Sequence, residues 1–74
     1  PHVVRIHAML PNVTTNQDII HIFGDDYLFE DGLYLNMIYD LGEFTVFVET
    51  EGKNSRHHPY FLSIGNEEFI KAVN

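Results

Sequence analysis

Between Tyr27 and Thr50, apolar residues alternate with polar ones around two turn signals, Asp31-Gly32 and Leu41-Gly42. Side chains of a strand point alternately to its two faces, and a two-residue turn fixes how neighbouring strands align. The pattern and the turns therefore predict three antiparallel strands in a single register. A turn at Leu41-Gly42 sets Tyr39 opposite Phe44, Met37 opposite Val46 and Leu35 opposite Val48, all on one face. A turn at Asp31-Gly32 adds Leu28 opposite Leu35 on that face and Phe29 opposite Tyr34 on the other.

The flanking segments complete an α+β reading. His2 to Leu10 alternates Val4, Ile6, Ala8 and Leu10 with Val3, Arg5, His7 and Met9, a strand stopped by Pro11. Thr15 to Phe23 reads as a short helix with Thr15 as N-cap, Asp18 at its third position, an apolar stripe of Ile19, Ile20, Ile22 and Phe23, and Gly24 as the stop. Its β-branched content leaves a strand open as the alternative. After a polar loop from Glu51 to Pro59, Tyr60 to Ile64 reads as a strand broken by Gly65. Asn66 then caps a closing helix, with Glu67 and Glu68 in its first turn and Phe69, Ile70 and Val73 packing inward. The expected fold is thus one small α+β domain over residues 1–74. Its antiparallel sheet has a meander at about 27–50 and strands near 2–10 and 60–64, with one or two short helices at about 15–23 and 66–73.

Composition sets bounds on this domain. At 74 residues the chain forms a single thin core, and with no cysteine it has no disulfide framework, thiolate metal site or cysteine nucleophile. Its apolar runs are far shorter than the roughly 20 residues that span a bilayer, and no basic-then-apolar leader pattern opens the chain. A cytoplasmic protein without membrane association is expected.

The net charge is −7, and no Lys or Arg stands between Arg5 and Lys53. That interval holds Asp18, Asp25, Asp26, Glu30, Asp31, Asp40, Glu43, Glu49 and Glu51. Such a surface repels nucleic acid and anionic membranes and suits a basic partner. The meander register also collects Tyr27, Phe29, Tyr34, Ile38 and Phe47 on the reverse face of the sheet, interleaved with Asp40, Glu43 and Glu49. Aromatic residues within an acidic rim are typical of a protein interface. One or two short helices cover only one side of such a sheet. Part of the reverse face is therefore expected either to lie under the first strand and loops or to stand open to a partner.

Other patterns fall short of chemistry. The run Asp25 to Gly32 places Tyr27, Leu28 and Phe29 where a calcium loop needs oxygen ligands. His57 and His58 diverge if extended, as do His2 and His7, so no metal site is expected. Glu49 and Glu51, two apart on a strand, read as a solvated strand end rather than a hydrolytic pair. No phosphate-binding loop, dinucleotide fingerprint or nucleophile elbow occurs, and no cofactor is expected.

The opening Pro1-His2-Val3-Val4-Arg5-Ile6-His7 superficially resembles the first strand of the tautomerase family, small oligomeric enzymes that use an amino-terminal proline. The resemblance ends with this opening. That family continues into a long helix, whereas here Pro11, Gly24 and a hairpin follow. It implies Pro1 as a general base, with Arg5, Lys53 or Arg56 holding an acidic substrate.

The leading expectation is a small acidic interaction module that binds a basic or nucleic-acid-binding protein as an inhibitor or nucleic-acid mimic. Its partner-binding residues would be Asp25, Asp26, Glu30, Asp31, Asp40, Glu43, Glu49 and Glu51, with Tyr34 and Phe47 as anchors and with no catalytic residue. The alternatives are an oligomeric enzyme based on Pro1 and a homo-oligomeric structural subunit closed by its aromatic face.

Overall fold

The computed structural model describes residues 5–66. They form a five-stranded antiparallel sheet in the order β1-β5-β4-β3-β2. The elements follow the chain as β1 (Arg5–Met9), α1 (Asn16–Phe23), β2 (Leu28–Asp31), β3 (Leu35–Asp40), β4 (Phe44–Thr50) and β5 (Pro59–Asn66). Pro1 and the residues expected to form a closing helix beyond Asn66 lie outside the described segment.

The helix begins as its sequence dictates. Thr15 is extended and accepts from the Asp18 backbone N–H, while the Asp18 carboxylate accepts from the Thr15 N–H at 2.9 Å, a reciprocal capping box. Gly24, at φ +97°, ends the helix and donates to the Ile20 carbonyl at 2.7 Å. The inner face of α1 presents Ile19, Ile20 and Phe23 to a core of Met37, Tyr39, Val46 and Val48, with Tyr27, Phe29, Leu62 and Ile64 around it. Burial of an isoleucine such as Ile19 contributes about 1.5–3 kcal/mol.

The two hairpins differ from the expected registers, with unequal consequences. Between β3 and β4, Tyr39 faces Val46 and Met37 faces Val48, two residues away from the expected alignment. The turn is Gly42-Glu43 rather than Leu41-Gly42. Gly42 takes φ +87°, the Leu41 N–H donates to the Phe44 carbonyl at 2.8 Å, and the Asp40 carboxylate accepts from the Gly42 N–H at 2.9 Å. A shift of two preserves the faces, so the same residues stay inside. Between β2 and β3, Leu28 pairs with Ile38 and Phe29 with Met37, a shift of three. Here residues 32–34 form the loop, and the odd shift turns β2 over. Phe29 therefore packs against the core and Leu28, 65% exposed, points the other way.

Strand β5 is longer than expected at both ends. Gly65 does not break it, because its neighbours supply ladder partners on both sides, Arg5 in β1 and Thr45 in β4. Asn66 pairs with Phe44 at the end of the strand, and the closing helix expected after it lies outside the described residues. An irregularity at Glu49/Thr50 carries Thr50 across to Pro59. Tyr60 is thereby left out of the β4 pairing, and its carbonyl accepts from the Leu10 N–H at 2.9 Å.

The loop joining β4 to β5 is tied to the helix start. Asn16, 1% exposed, donates through Nδ2 to the Gly52 and Asn54 carbonyls at 2.7 and 2.9 Å, and its Oδ1 accepts from the Thr50 hydroxyl at 2.7 Å. The backbone N–H groups of Asn16 and Gln17 donate to the His57 and Ser55 carbonyls at 2.8 and 2.9 Å. The loop thus satisfies donors that a helix start leaves unpaired. Gly52 is buried, and a Cβ there would collide with the His57 imidazole.

Replacing Asn16 with Ala removes the amide donors to the Gly52 and Asn54 carbonyls and the nearest acceptor of the Thr50 hydroxyl, and should lower unfolding free energy by about 2–3 kcal/mol in urea melts. Asn16→Asp, which keeps an acceptor for Thr50 but loses both donors, should also destabilise. Gly52→Ala should cost about 1–3 kcal/mol through its clash with His57.

Candidate interaction surface

Helix α1 occupies one face of the sheet, and the opposite face carries three rows of side chains set by the pairings. One row is Arg5, Gly65, Thr45 and Asp40. The next is His7, Ser63, Phe47, Ile38 and Leu28, and the third is Met9, Phe61, Glu49, Asn36 and Glu30. No described element packs over these rows. Met9 is 77% exposed, while Ile38, Phe47 and Phe61 are half-buried.

An apolar band therefore runs through Leu28, Ile38, Phe47, Phe61 and Met9 and touches every strand. Carboxylates flank it at the β2–β4 end, with Asp40 on one side and Glu30 and Glu49 on the other. At the β1 end the character changes. Arg5 stands there, and His7 meets the Ser63 hydroxyl at 2.7 Å with its ring 5.2 Å from that of Phe61.

The structure separates the expected site residues into groups. Glu30, Asp40, Phe47 and Glu49 lie together on the open face. Asp25 and Asp26 stand in the turn before β2, and Asp26 lines a cavity of about 410 Å³ with Tyr27, Leu28, Ile38 and Asp40. Glu43 sits in the β3–β4 turn, away from the rows. Asp31 pairs with Leu35 at the end of β2. Tyr34 is in the three-residue loop and 60% exposed, so it has no strand partner and does not anchor the face. Tyr27 and Phe29, expected on this face, belong to the core side because of the turned-over β2.

Glu51 holds its own loop together. Its carboxylate accepts from the His58 backbone N–H at 2.7 Å, and its N–H donates to the His58 carbonyl at 3.1 Å. The two adjacent histidines lie in a bend before β5 and make separate contacts. The His57 Nδ1 accepts from the Asn54 N–H at 2.9 Å, whereas the His58 Nδ1 lies 2.8 Å from the Thr14 carbonyl and so donates to it. Nδ1 thus accepts in one ring and donates in the other, and both side chains serve the loop. A second cavity of about 410 Å³ opens beside them, lined by Met9, Asn12, Glu51, His58 and Tyr60 among others. Lys53 reaches from this loop to lie 5.4 Å over the Phe29 ring, on the core side of the sheet. Among the described residues no three His, Asp or Glu side chains converge as metal ligands, and no helix is long and apolar enough to cross a membrane.

The acidic corner also acts on the core. The Tyr39 hydroxyl donates to the Gly24 carbonyl at 2.7 Å, and its ring lies 5.4 Å from both Phe23 and Tyr27. Burial first, then the charges of Tyr27 and Asp25, push its pKa up from 10.0 to about 12.

Sequence reasoning missed Asn16, although a signal was present. Asn16, Ile19, Ile20 and Phe23 follow the i, i+3, i+4, i+7 spacing of one helix face, which places the asparagine inward with the apolar stripe. Comparison with protein-family models, curated proteins and solved structures finds no match to the chain.

Tyr39 yields a pH signature. The folded chain retains this proton above the value at which the unfolded chain releases it, so the stability it contributes is complete below pH 10.0 and drains as pH rises toward about 12. Urea midpoints measured across that alkaline window should fall in the wild-type protein and fall less in Tyr39→Phe, with tyrosinate absorbance reporting the late titration.

Proposed function

We propose that this domain is a small acidic protein-interaction module whose open sheet face binds a basic partner, including a basic site that ordinarily holds nucleic acid, and so acts as an inhibitor or nucleic-acid mimic. The observation carrying this reading is the placement of Glu30, Asp40 and Glu49 on the same face as Ile38, Phe47 and Phe61. Apolar area supplies the binding free energy, and the flanking carboxylates steer a cationic partner and reject anionic surfaces. Asp25 and Asp26 extend the negative potential past the β2 edge, adding to a net charge of −7. Carboxylates on a rigid sheet in this way stand in for the phosphates that the partner's basic site would otherwise meet.

The test is a purified partner, first isolated on the immobilised chain and then titrated against variants. The double replacement Glu30→Gln with Glu49→Gln should weaken binding by roughly tenfold and flatten its salt dependence, with the thermal melt unchanged. Phe47→Ser should weaken binding by a similar factor through lost contact area. Affinity unaltered by both changes would refute the assignment to this face.

A further inference from the structure

We infer that the partner element seated on the open face is a basic amphipathic α-helix. This rests on the interaction reading above and adds the form of the partner.

The argument begins with the backbone. The N–H and C=O groups of β3, β4 and β5, beneath the middle of the face, are directed into ladders on both sides, so a lone strand laid flat on the face would bury polar backbone groups with nothing to pair them. A helix brings its backbone bonds already closed. The other side of this sheet accepts a helix in that manner, through Ile19, Ile20 and Phe23 of α1.

The dimensions and charges agree with this choice. Five strands span four gaps of about 4.8 Å, roughly 19 Å, the length of about 13 helical residues. The apolar band from Leu28 through Ile38, Phe47 and Phe61 to Met9 follows that line. Neighbouring rows on one face lie about 7 Å apart, close to the reach of side chains flanking a helix's apolar ridge. Lysines or arginines on either flank then meet Asp40 on one side and Glu30 and Glu49 on the other. A second copy of the chain fits less well, since each copy brings a charge of −7 and its own Glu30, Asp40 and Glu49 to the contact.

The probe is a synthetic peptide of about 18 residues, long enough to span the face, with leucines at i, i+3, i+4 and i+7 and lysines or arginines on both flanks. The controls are the same composition rearranged into strict alternation and the helical peptide interrupted by a central proline. Binding to the full chain is followed by fluorescence anisotropy, peptide helicity by circular dichroism, and the contact surface by amide chemical shifts.

The expected result is that the amphipathic peptide binds at least about tenfold more tightly than either control and gains helicity on binding. Its shifts should map to β3, β4 and β5. Leu28→Arg, at an exposed position that leaves folding intact, and Glu49→Gln should each weaken it several-fold, whereas Ile22→Ser on the outer side of α1 should not. Equal binding of the alternating peptide, or shifts confined to the β1 edge or the loop between β4 and β5, would overturn the helix. So would a dimer, detected by light scattering, that Leu28→Arg dissociates, because the occupant would then be a second copy. If a purified basic partner loses affinity with the face variants yet no helical peptide competes with it, the helix falls and the interaction reading stands. If that partner ignores the face variants, both fall.

Discussion

Everything the open face presents depends on a buried amide on the far side of the sheet. Asn16 joins three elements through one side chain: the start of α1, the end of β4 and the loop that leads to β5. Among the described residues five apolar side chains are buried in the core, and a core so thin has little reserve. The amide contributes orientation rather than bulk, since each of its hydrogen bonds has a fixed direction. It sets where the helix lies over Met37, Tyr39, Val46 and Val48, and how the chain travels from a central strand to its neighbour. The half-buried His57 does the complementary work from the loop side, its carbonyl receiving the first helical N–H and its ring nitrogen closing the loop onto Asn54.

Much of the fold could be read from the sequence because its signals are local. The capping box at Thr15 and Asp18 and the stop at Gly24 involve neighbours in the chain, so α1 emerges where the residues place it. The order of the meander is likewise set by short connections. Register is a different matter, since Asp31-Gly32 suits a two-residue turn and the chain uses Gly32, Leu33 and Tyr34 instead. Once Phe29 can reach Met37 and Tyr27 can stack near Tyr39, core packing overrides the preference of the dipeptide. The candidate surface inherited this mixture. Glu49, Phe47 and Asp40 were legible because a shift of two leaves their face unchanged, and Tyr34 was misplaced because its loop is one residue longer.

The two faces divide the work of the sheet by chemistry. On the helix side, burial is so complete that the hydroxyl of Tyr39 must be satisfied by a carbonyl and its ionisation is suppressed. On the other side, phenylalanines and isoleucine are only half covered and lie among carboxylates that stay hydrated. A thin domain would gain stability by covering that second side. Leaving it acidic limits nonspecific association, since neutral or anionic surfaces have little to gain from approaching it.

The three-residue loop between β2 and β3 acts as a parity device. Strand side chains have a period of two, so an odd shift of pairing register at this loop exchanges inside for outside along the whole of β2, without any substitution in the strand. As built, the loop hides Phe29 and displays Leu28 and Glu30. The same hairpin closed on Asp31-Gly32 would show an aromatic ring where this chain shows an aliphatic and a carboxylate. A one-residue slip of register is therefore a direct route by which such a domain can acquire a different binding surface while keeping the same strand order.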